Sequence, residues 1–149
     1  MKSHGWMEIA LEEARAAAAR GEVPVGAVVV APGGRVVARA GNRVRELADP
    51  TAHAEILALR EACAALGSER LPGHELHVTL EPCPMCAGAI SLARIARLYY
   101  GADDPKAGGV AHGARVFARP QCHHAPEIFD GIAAGESAAL LRGFFAGRR

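Results

Sequence analysis

Two cysteines three residues apart, Cys83 and Cys86, lie where a predicted strand gives way to a predicted helix. The segment ELHVTL favours a strand over 75–80, and PMCAGAISLAR favours a helix over 84–94 that begins beside Cys83 and Pro84. Cysteines three apart at a helix start can direct both sulfurs to one point, and the positive end of the helix dipole favours their thiolate forms. This pattern is typical of metal ligands.

The remaining pattern predicts an α/β domain around that unit. Asp49 followed by Pro50 predicts the start of a second helix that runs to Gly67. A strand–helix–strand order implies parallel pairing, so we expect a mixed sheet of about five strands between helices, in one domain over 1–149. The other predicted elements are a helix over 5–20, strands over 25–31 and 35–41, a strand over 96–101, a last strand in PEIFDGI and a C-terminal helix in ESAALLRGFFAGRR.

Four cysteines raise the choice between disulfides and metal binding. Glu8, Glu12 and Glu13 interrupt the apolar pattern at the N-terminus as a secretory leader would not, and no apolar run approaches the roughly eighteen residues of a membrane span. We therefore expect a cytoplasmic protein with no membrane segment, in which thiols stay reduced and available to metals. The net charge of +1 neither indicates nor excludes a nucleic-acid partner.

The second helix start carries His53 and Glu55, only two residues apart. Along the side of a helix such residues diverge by about 200°, but in a first turn they can converge on a point beyond the helix end. Helix starts meet at one edge of an α/β sheet, so His53 is expected to join Cys83 and Cys86. Two thiolates and an imidazole suit Zn²⁺ with a fourth position open to water, and Glu55 is the expected carboxylate base.

The pattern HAE followed by PCPMC resembles the signature of the zinc-dependent nucleoside and nucleobase deaminases. The likeness extends through EVPVGAVVV, GNRVRELADPTAHAE, LHVTLEPCPMCAGAI, YGADDPK and LLRGFF, and it is similar to the bacterial tRNA adenosine deaminases in particular. It implies a three-layer cytidine-deaminase-like fold, one Zn²⁺ per subunit and a homodimer. The implied activity is hydrolytic deamination of adenosine to inosine at the wobble position of a tRNA anticodon stem-loop, with release of ammonia.

The resemblance also implies roles for single residues. His53, Cys83 and Cys86 would bind the zinc ion, while Glu55 would move protons to the adenine ring and then to the departing ammonia. Asp104 and Lys106 lie on a loop that touches RNA in that family, and the other implied contacts line the pocket or meet the target base. The complete set of implied substrate contacts is Val23, Asn42, Ala54, Asp104 and Lys106.

Two other functions remain open on the sequence. A deaminase of free bases or nucleosides, such as guanine or cytosine, would share HAE and EPCPMC, because the zinc chemistry does not select a substrate. A zinc-stabilised RNA-binding module without catalysis would use the same ligands. A redox or purely structural role for Cys83 and Cys86 would leave HAE unexplained.

The remaining cysteines and the loop over 107–126 are a separate question, because this loop aligns poorly with the resembled family. Cys122, His123 and His124 could reach the site and close the zinc, but we expect them to be ordinary loop residues. Cys63 is expected to be a core thiol, since ten residues along a helix separate it from His53 by roughly 15 Å.

Overall fold

This computed structural model describes the backbone of residues 2–148 and the side chains from residue 5 to residue 148. Within that range no helix combines the length and the apolar character needed to cross a membrane. The elements are α1 (Lys2–Ala19), β1 (Gly26–Ala31), β2 (Arg35–Gly41), α2 (Val44–Leu47), α3 (Ala54–Leu66), β3 (Glu75–Leu80), α4 (Pro84–Leu92), β4 (Arg97–Ala102), a 3₁₀ turn (Val116–Ala118), β5 (Glu127–Phe129) and α5 (Ala134–Ala146).

The five strands form one mixed sheet in the order β2-β1-β3-β4-β5. Strand β1 is antiparallel to both β2 and β3, whereas β3, β4 and β5 are parallel to one another. The expected parallel pairing is therefore correct for β3 with β4. It is wrong for β2 with β3, because β1 lies between them and pairs with both, although β2 and β3 do run in the same direction.

Helices cover both faces of the sheet, which confirms the three-layer prediction. Alternate residues of β1 point to opposite faces. Ala27 and Val29 belong to the core beneath α3 and α4, whereas Val28 and Val30 pack with α1. Gly26 allows α1 to approach this strand closely, since a Cβ at this position would overlap the carbonyl oxygen of Ala10.

The start of α3 differs from its prediction. Asp49 does not cap the helix; its carboxylate accepts hydrogen bonds from the backbone N–H of Thr51 at 2.9 Å and from the Thr51 hydroxyl at 2.7 Å. The Asp-Pro pair thus forms a separate turn, and α3 begins at Ala54 with His53 as its N-cap residue. The single-turn helix α2 was not predicted, because its four residues are too few to show a periodicity.

The long segment after β4 is held against α4. The Ser91 hydroxyl donates to the backbone oxygen of His124 at 2.6 Å and lies 3.4 Å from the sulfur of Cys122. The His124 ring nitrogen Nε2 lies 2.7 Å from the backbone oxygen of Ile95. These contacts, with the packing of the 3₁₀ turn on α4, fix the path of the segment along this helix.

Candidate active site

Three groups of metal-ligand type meet where α3 and α4 begin. His53 is the N-cap residue of α3, Cys83 is the N-cap residue of α4, and Cys86 lies in the first turn of α4. Both N-cap residues have extended backbones, with φ and ψ of −72° and 153° at His53 and of −72° and 172° at Cys83. The two helix starts therefore bring the three side chains together.

The distances between these side chains fit a zinc ion. The Nδ1 atom of His53 lies 3.6 Å from the sulfur of Cys83 and 3.5 Å from that of Cys86. A tetrahedral zinc with ordinary bonds to sulfur and nitrogen requires a sulfur–nitrogen separation of about 3.6 Å. All three ligand atoms lie within 4.8 Å of one another. Both the donor set and its spacing thus fit zinc with three protein ligands.

The electrostatics of the two thiols also favour a cation. A hydrogen bond from the Cys86 thiol, with help from His53, lowers the pKa of Cys83 to about 4 against the opposing effect of burial. The same bond to Cys83, together with burial, raises the pKa of Cys86. The lowered pKa of Cys83 favours its thiolate, which is the form in which a cysteine binds a metal.

Glu55 lies in the first turn of α3, beside this cluster. Its side chain is buried, with 4% of the residue exposed, and burial raises the pKa of its carboxyl to about 7. A carboxyl with a pKa near neutrality can both accept and release a proton, as a general acid–base group must. Glu55 and His53 thus share one site, although only Glu55 lies on the helix.

A pocket of about 230 Å³ opens onto these side chains. Val23, Asn42 and Asp104 line it, in addition to His53 and Cys83. Among the other predicted substrate contacts, Ala54 is buried in the core and Lys106 is exposed outside the pocket lining. The substrate roles of these five residues therefore stay predictions.

The other cysteines and the neighbouring histidines lie apart from the cluster in the part of the chain described. Cys122 and His124 contact Ser91, which precedes the C-terminal residue of α4, whereas the zinc ligands lie at the opposite end of this helix. Cys63 is half-buried against the core in the last turns of α3. The metal group built on His53 contains none of these residues.

Two buried carboxylates were not predicted from the sequence, one at the pocket and one beside α2. Glu81 lines the pocket and accepts hydrogen bonds from the loop that follows β4. Glu22 accepts hydrogen bonds from the backbone N–H groups of Arg45 at 3.1 Å and Glu46 at 2.8 Å, and so holds α2 in place. The available signal was a glutamate beside an apolar segment in each case, directly after LHVTL and directly before VPVGAVVV.

The sequence also matches a known protein family. Residues 1–102 match the family model described as the cytidine and deoxycytidylate deaminase zinc-binding region. The chain belongs to this family of zinc-dependent deaminases.

Individual relatives show which deaminases of this family the chain resembles. The chain is 63% identical to a tRNA-specific adenosine deaminase of Agrobacterium fabrum, over 97% of this chain and 94% of the relative. A solved tRNA:A34 deaminase, studied for A-to-I editing at the wobble position of transfer RNA, is 64% identical with a TM-score of 0.90, covering 92% of this chain and 99% of its own. A guanine deaminase from Nitrosomonas europaea is 28% identical with a TM-score of 0.82, covering 96% and 84%. Within this family, the chain is thus far more similar to these tRNA adenosine deaminases than to the guanine deaminase.

These findings confirm the predicted family, the mixed five-strand α/β fold and the zinc cofactor. The relatives that are named as tRNA adenosine deaminases also support the predicted function, deamination of a tRNA adenosine.

Proposed function

We propose that this chain converts the wobble adenosine of a tRNA anticodon stem-loop to inosine, with His53, Cys83 and Cys86 holding zinc and Glu55 moving the protons. The observation that carries this proposal is the three-ligand cluster directly beside a buried carboxyl of raised pKa. A fourth position left to water distinguishes a catalytic zinc site from a closed structural one.

The protein groups have distinct tasks in this reaction. A zinc ion bound by the three ligands supplies the Lewis acidity that makes a water molecule nucleophilic near neutral pH. Glu55 accepts a proton as water adds to C6 of the adenine and passes it to the ring. It then accepts the proton of the resulting C6 hydroxyl and passes it to the leaving amino group. Water and adenosine are thereby converted to inosine and ammonia.

The pocket supports a flipped-out base as the substrate. Its volume of about 230 Å³ fits a purine better than a folded RNA segment, so the target base must leave its stack to enter. We assign Val23 and Asn42 to the base, the backbone of Ala54 to a contact beside His53, and Asp104 and Lys106 to the flanking RNA. The position of Asp104 at the pocket and the exposure of Lys106 on the same loop support this arrangement.

A homodimer is part of this proposal. Apolar clefts of about 560 and 470 Å³ lie on two sides of α4, and Leu92 lines both of them with 73% of its surface exposed. An exposed apolar patch of this kind is typical of a protein–protein contact. We propose that a second copy covers it, and that the single-domain subunits act on tRNA in the cytoplasm.

Deamination of a stem-loop should be compared directly with deamination of free bases. The zinc-loaded protein is incubated with an anticodon stem-loop carrying adenosine at the wobble position, with the same stem-loop carrying that adenosine one position away, and with free guanine, cytosine and adenosine. Inosine is measured by nuclease digestion and mass spectrometry, and ammonia is measured in parallel. Inosine is expected only from the first substrate.

The other outcomes decide between the alternatives. Turnover of a free base without reaction of the stem-loop would assign the chain to the free-base deaminases. Tight stem-loop binding without ammonia from any substrate would indicate a non-catalytic RNA-binding module.

A further inference from the structure

The loop between β4 and the 3₁₀ turn is bound to one carboxylate. One oxygen of Glu81, Oε2, accepts hydrogen bonds from the backbone N–H groups of Val110, Ala111 and His112 at 2.9 to 3.1 Å. The other oxygen, Oε1, accepts from the backbone N–H of Asp104 at 2.9 Å and from the His112 ring at 2.8 Å. A single side chain therefore holds both ends of the segment 104–112.

The carboxylate of Glu81 has no free acceptor position with which to take part in the chemistry of the pocket. Its side chain is fully buried, and five donors occupy its two oxygens. A fixed carboxylate with this many donors is suited to orienting its neighbours.

The fit between Glu81 and the loop is close. A Cβ at Gly108 would overlap the Glu81 carboxylate, and a Cβ at Gly109 would lie 2.5 Å from the nitrogen of Pro84. The backbone N–H of Gly109 also donates to the carbonyl oxygen of Pro82 at 2.8 Å. The loop is therefore packed directly on the segment that carries Cys83, and it presents Asp104 to the pocket.

We propose that Glu81 is a positioning residue that fixes the segment 104–112, and with it Asp104, at the mouth of the substrate pocket. This inference rests on the proposed function, because it takes Asp104 as a contact to the RNA. Glu81 acts through the loop backbone and does not touch the substrate.

The variant Glu81→Gln tests the anchor with little change of volume. In either orientation of the amide, its NH₂ group replaces an oxygen that accepts at least two hydrogen bonds, so donors then face donors. We expect hydrogen exchange of the amides of residues 104, 110, 111 and 112 to become at least tenfold faster. The matched control is Glu22→Gln, which should accelerate exchange at residues 45 and 46 and leave residues 104–112 unchanged. Unchanged exchange at 104–112 in Glu81→Gln would overturn the proposal.

A double-mutant cycle with Asp104→Ala tests the route by which Glu81 acts. We expect Glu81→Gln to lower kcat/KM on the stem-loop by about 100-fold, the size of effect that a displacement of about 1 Å in a catalytic site produces. In the Asp104→Ala background the same change should cost less than threefold, whereas a general loss of stability would cost the same in both backgrounds. Equal effects in the two backgrounds would contradict the proposal.

The zinc content of the variant shows whether Glu81 acts on the loop or on the metal site. The Glu81→Gln variant is expected to retain one zinc per chain, and loss of zinc would show that Glu81 acts through Cys83 instead. If Glu81→Gln does not fold, His112→Ala replaces it in both experiments, since His112→Ala removes one of the five donors to Glu81. His112→Ala should accelerate exchange at 104–112 by a smaller factor. Unchanged exchange in this variant would overturn the proposal.

The exchange measurement also keeps this inference distinct from the proposed function. A wild-type chain that does not deaminate the stem-loop would refute the proposed function, while loop exchange would still decide whether Glu81 is the anchor.

Discussion

Glu55 and Glu81 are two buried carboxylates of one pocket with opposite chemical properties. Burial dominates at Glu55 and raises the pKa of its carboxyl to about 7. At Glu81 the hydrogen bonds outweigh burial and lower the pKa. The number of hydrogen-bond donors thus distinguishes the two carboxylates. Glu55, with few donors, can exchange protons, whereas Glu81, with five donors, stays ionised and orients its surroundings.

Replacing Glu55 by Gln should abolish proton transfer without disturbing the metal site. We expect zinc content to stay at one per chain, because Glu55 is not among the three ligand groups, while kcat falls by about 10² to 10⁴-fold, the usual contribution of a general acid–base group. The measurements are metal analysis and single-turnover deamination of the stem-loop. Glu61→Gln, an exposed change on the same helix, is the control and should retain full activity. Loss of zinc with Glu55 would contradict this assignment.

Each zinc ligand should be needed for metal retention. Cys83→Ser and Cys86→Ser each replace a thiolate by a hydroxyl that zinc binds poorly, so we expect the zinc content after dialysis to fall to a small fraction of one per chain. Cys63→Ser and Cys122→Ser are controls of the same chemistry outside the cluster, and both should retain zinc. Equal losses in all four variants would refute the ligand assignment.

At the scale of elements, β3 leads towards the candidate active site and also carries one ring of an aromatic stack, which lies on the face of the sheet opposite α4. Three consecutive strands place His77, Tyr99 and Phe129 side by side. The ring centroids are 4.4 Å apart for His77 with Tyr99 and 4.7 Å apart for Tyr99 with Phe129. His77 is fully buried; its Nε2 lies 3.0 Å from the Glu75 carboxylate, and its Nδ1 has no hydrogen-bond partner within the described residues.

The stability of the fold should depend on pH through His77. Burial lowers the pKa of this ring below its ordinary value of 6.5, against the effect of Glu75. The unfolded chain therefore binds the proton more readily, so stability is fully present above about pH 6.5 and is lost as pH falls below this value, by at most about 1.4 kcal/mol per pH unit.

Denaturant unfolding of zinc-loaded protein between pH 7.5 and 5 measures this effect. His77→Phe preserves stacking on Tyr99 and removes the titrating group, so its unfolding free energy should fall less steeply than that of the wild type. Parallel curves for the two proteins would show that His77 does not titrate on unfolding.

At the scale of the whole molecule, α4 connects the candidate metal site with the surface proposed for the dimer contact. Its first turn carries Cys86, and its last residue, Leu92, is 73% exposed between two apolar clefts. A partner that covers Leu92 would therefore contact the helix that positions the metal ligands.

The variant Leu92→Glu places a charge on this surface without changing the core. We expect the wild type to sediment as a dimer and Leu92→Glu to sediment as a monomer, because a buried unpaired carboxylate strongly opposes association. Leu66→Glu is the control, since Leu66 is 51% exposed and lies outside both clefts. A wild-type monomer, or a Leu92→Glu dimer of unchanged affinity, would refute the proposed interface.

Local patterns in the sequence predicted most elements and the metal ligands. Cys83 and Cys86 are three residues apart at a helix start, and this spacing constrains their geometry before any tertiary contact forms. The strands over 75–80 and 35–41 were predicted with their observed bounds, since short runs of apolar residues define them. The start of α3 was misplaced because the Asp49 carboxylate serves a turn as readily as a helix.

Only the tertiary structure determined the roles that depend on distant partners. The sequence by itself determined the residue types of the zinc site and the family chemistry. The position of β1 between β2 and β3, and the contact of Glu81 with residues 104–112, depend on pairings across the fold. Such pairings leave no periodicity in the sequence, because the interacting groups are backbone amides that every non-proline residue carries.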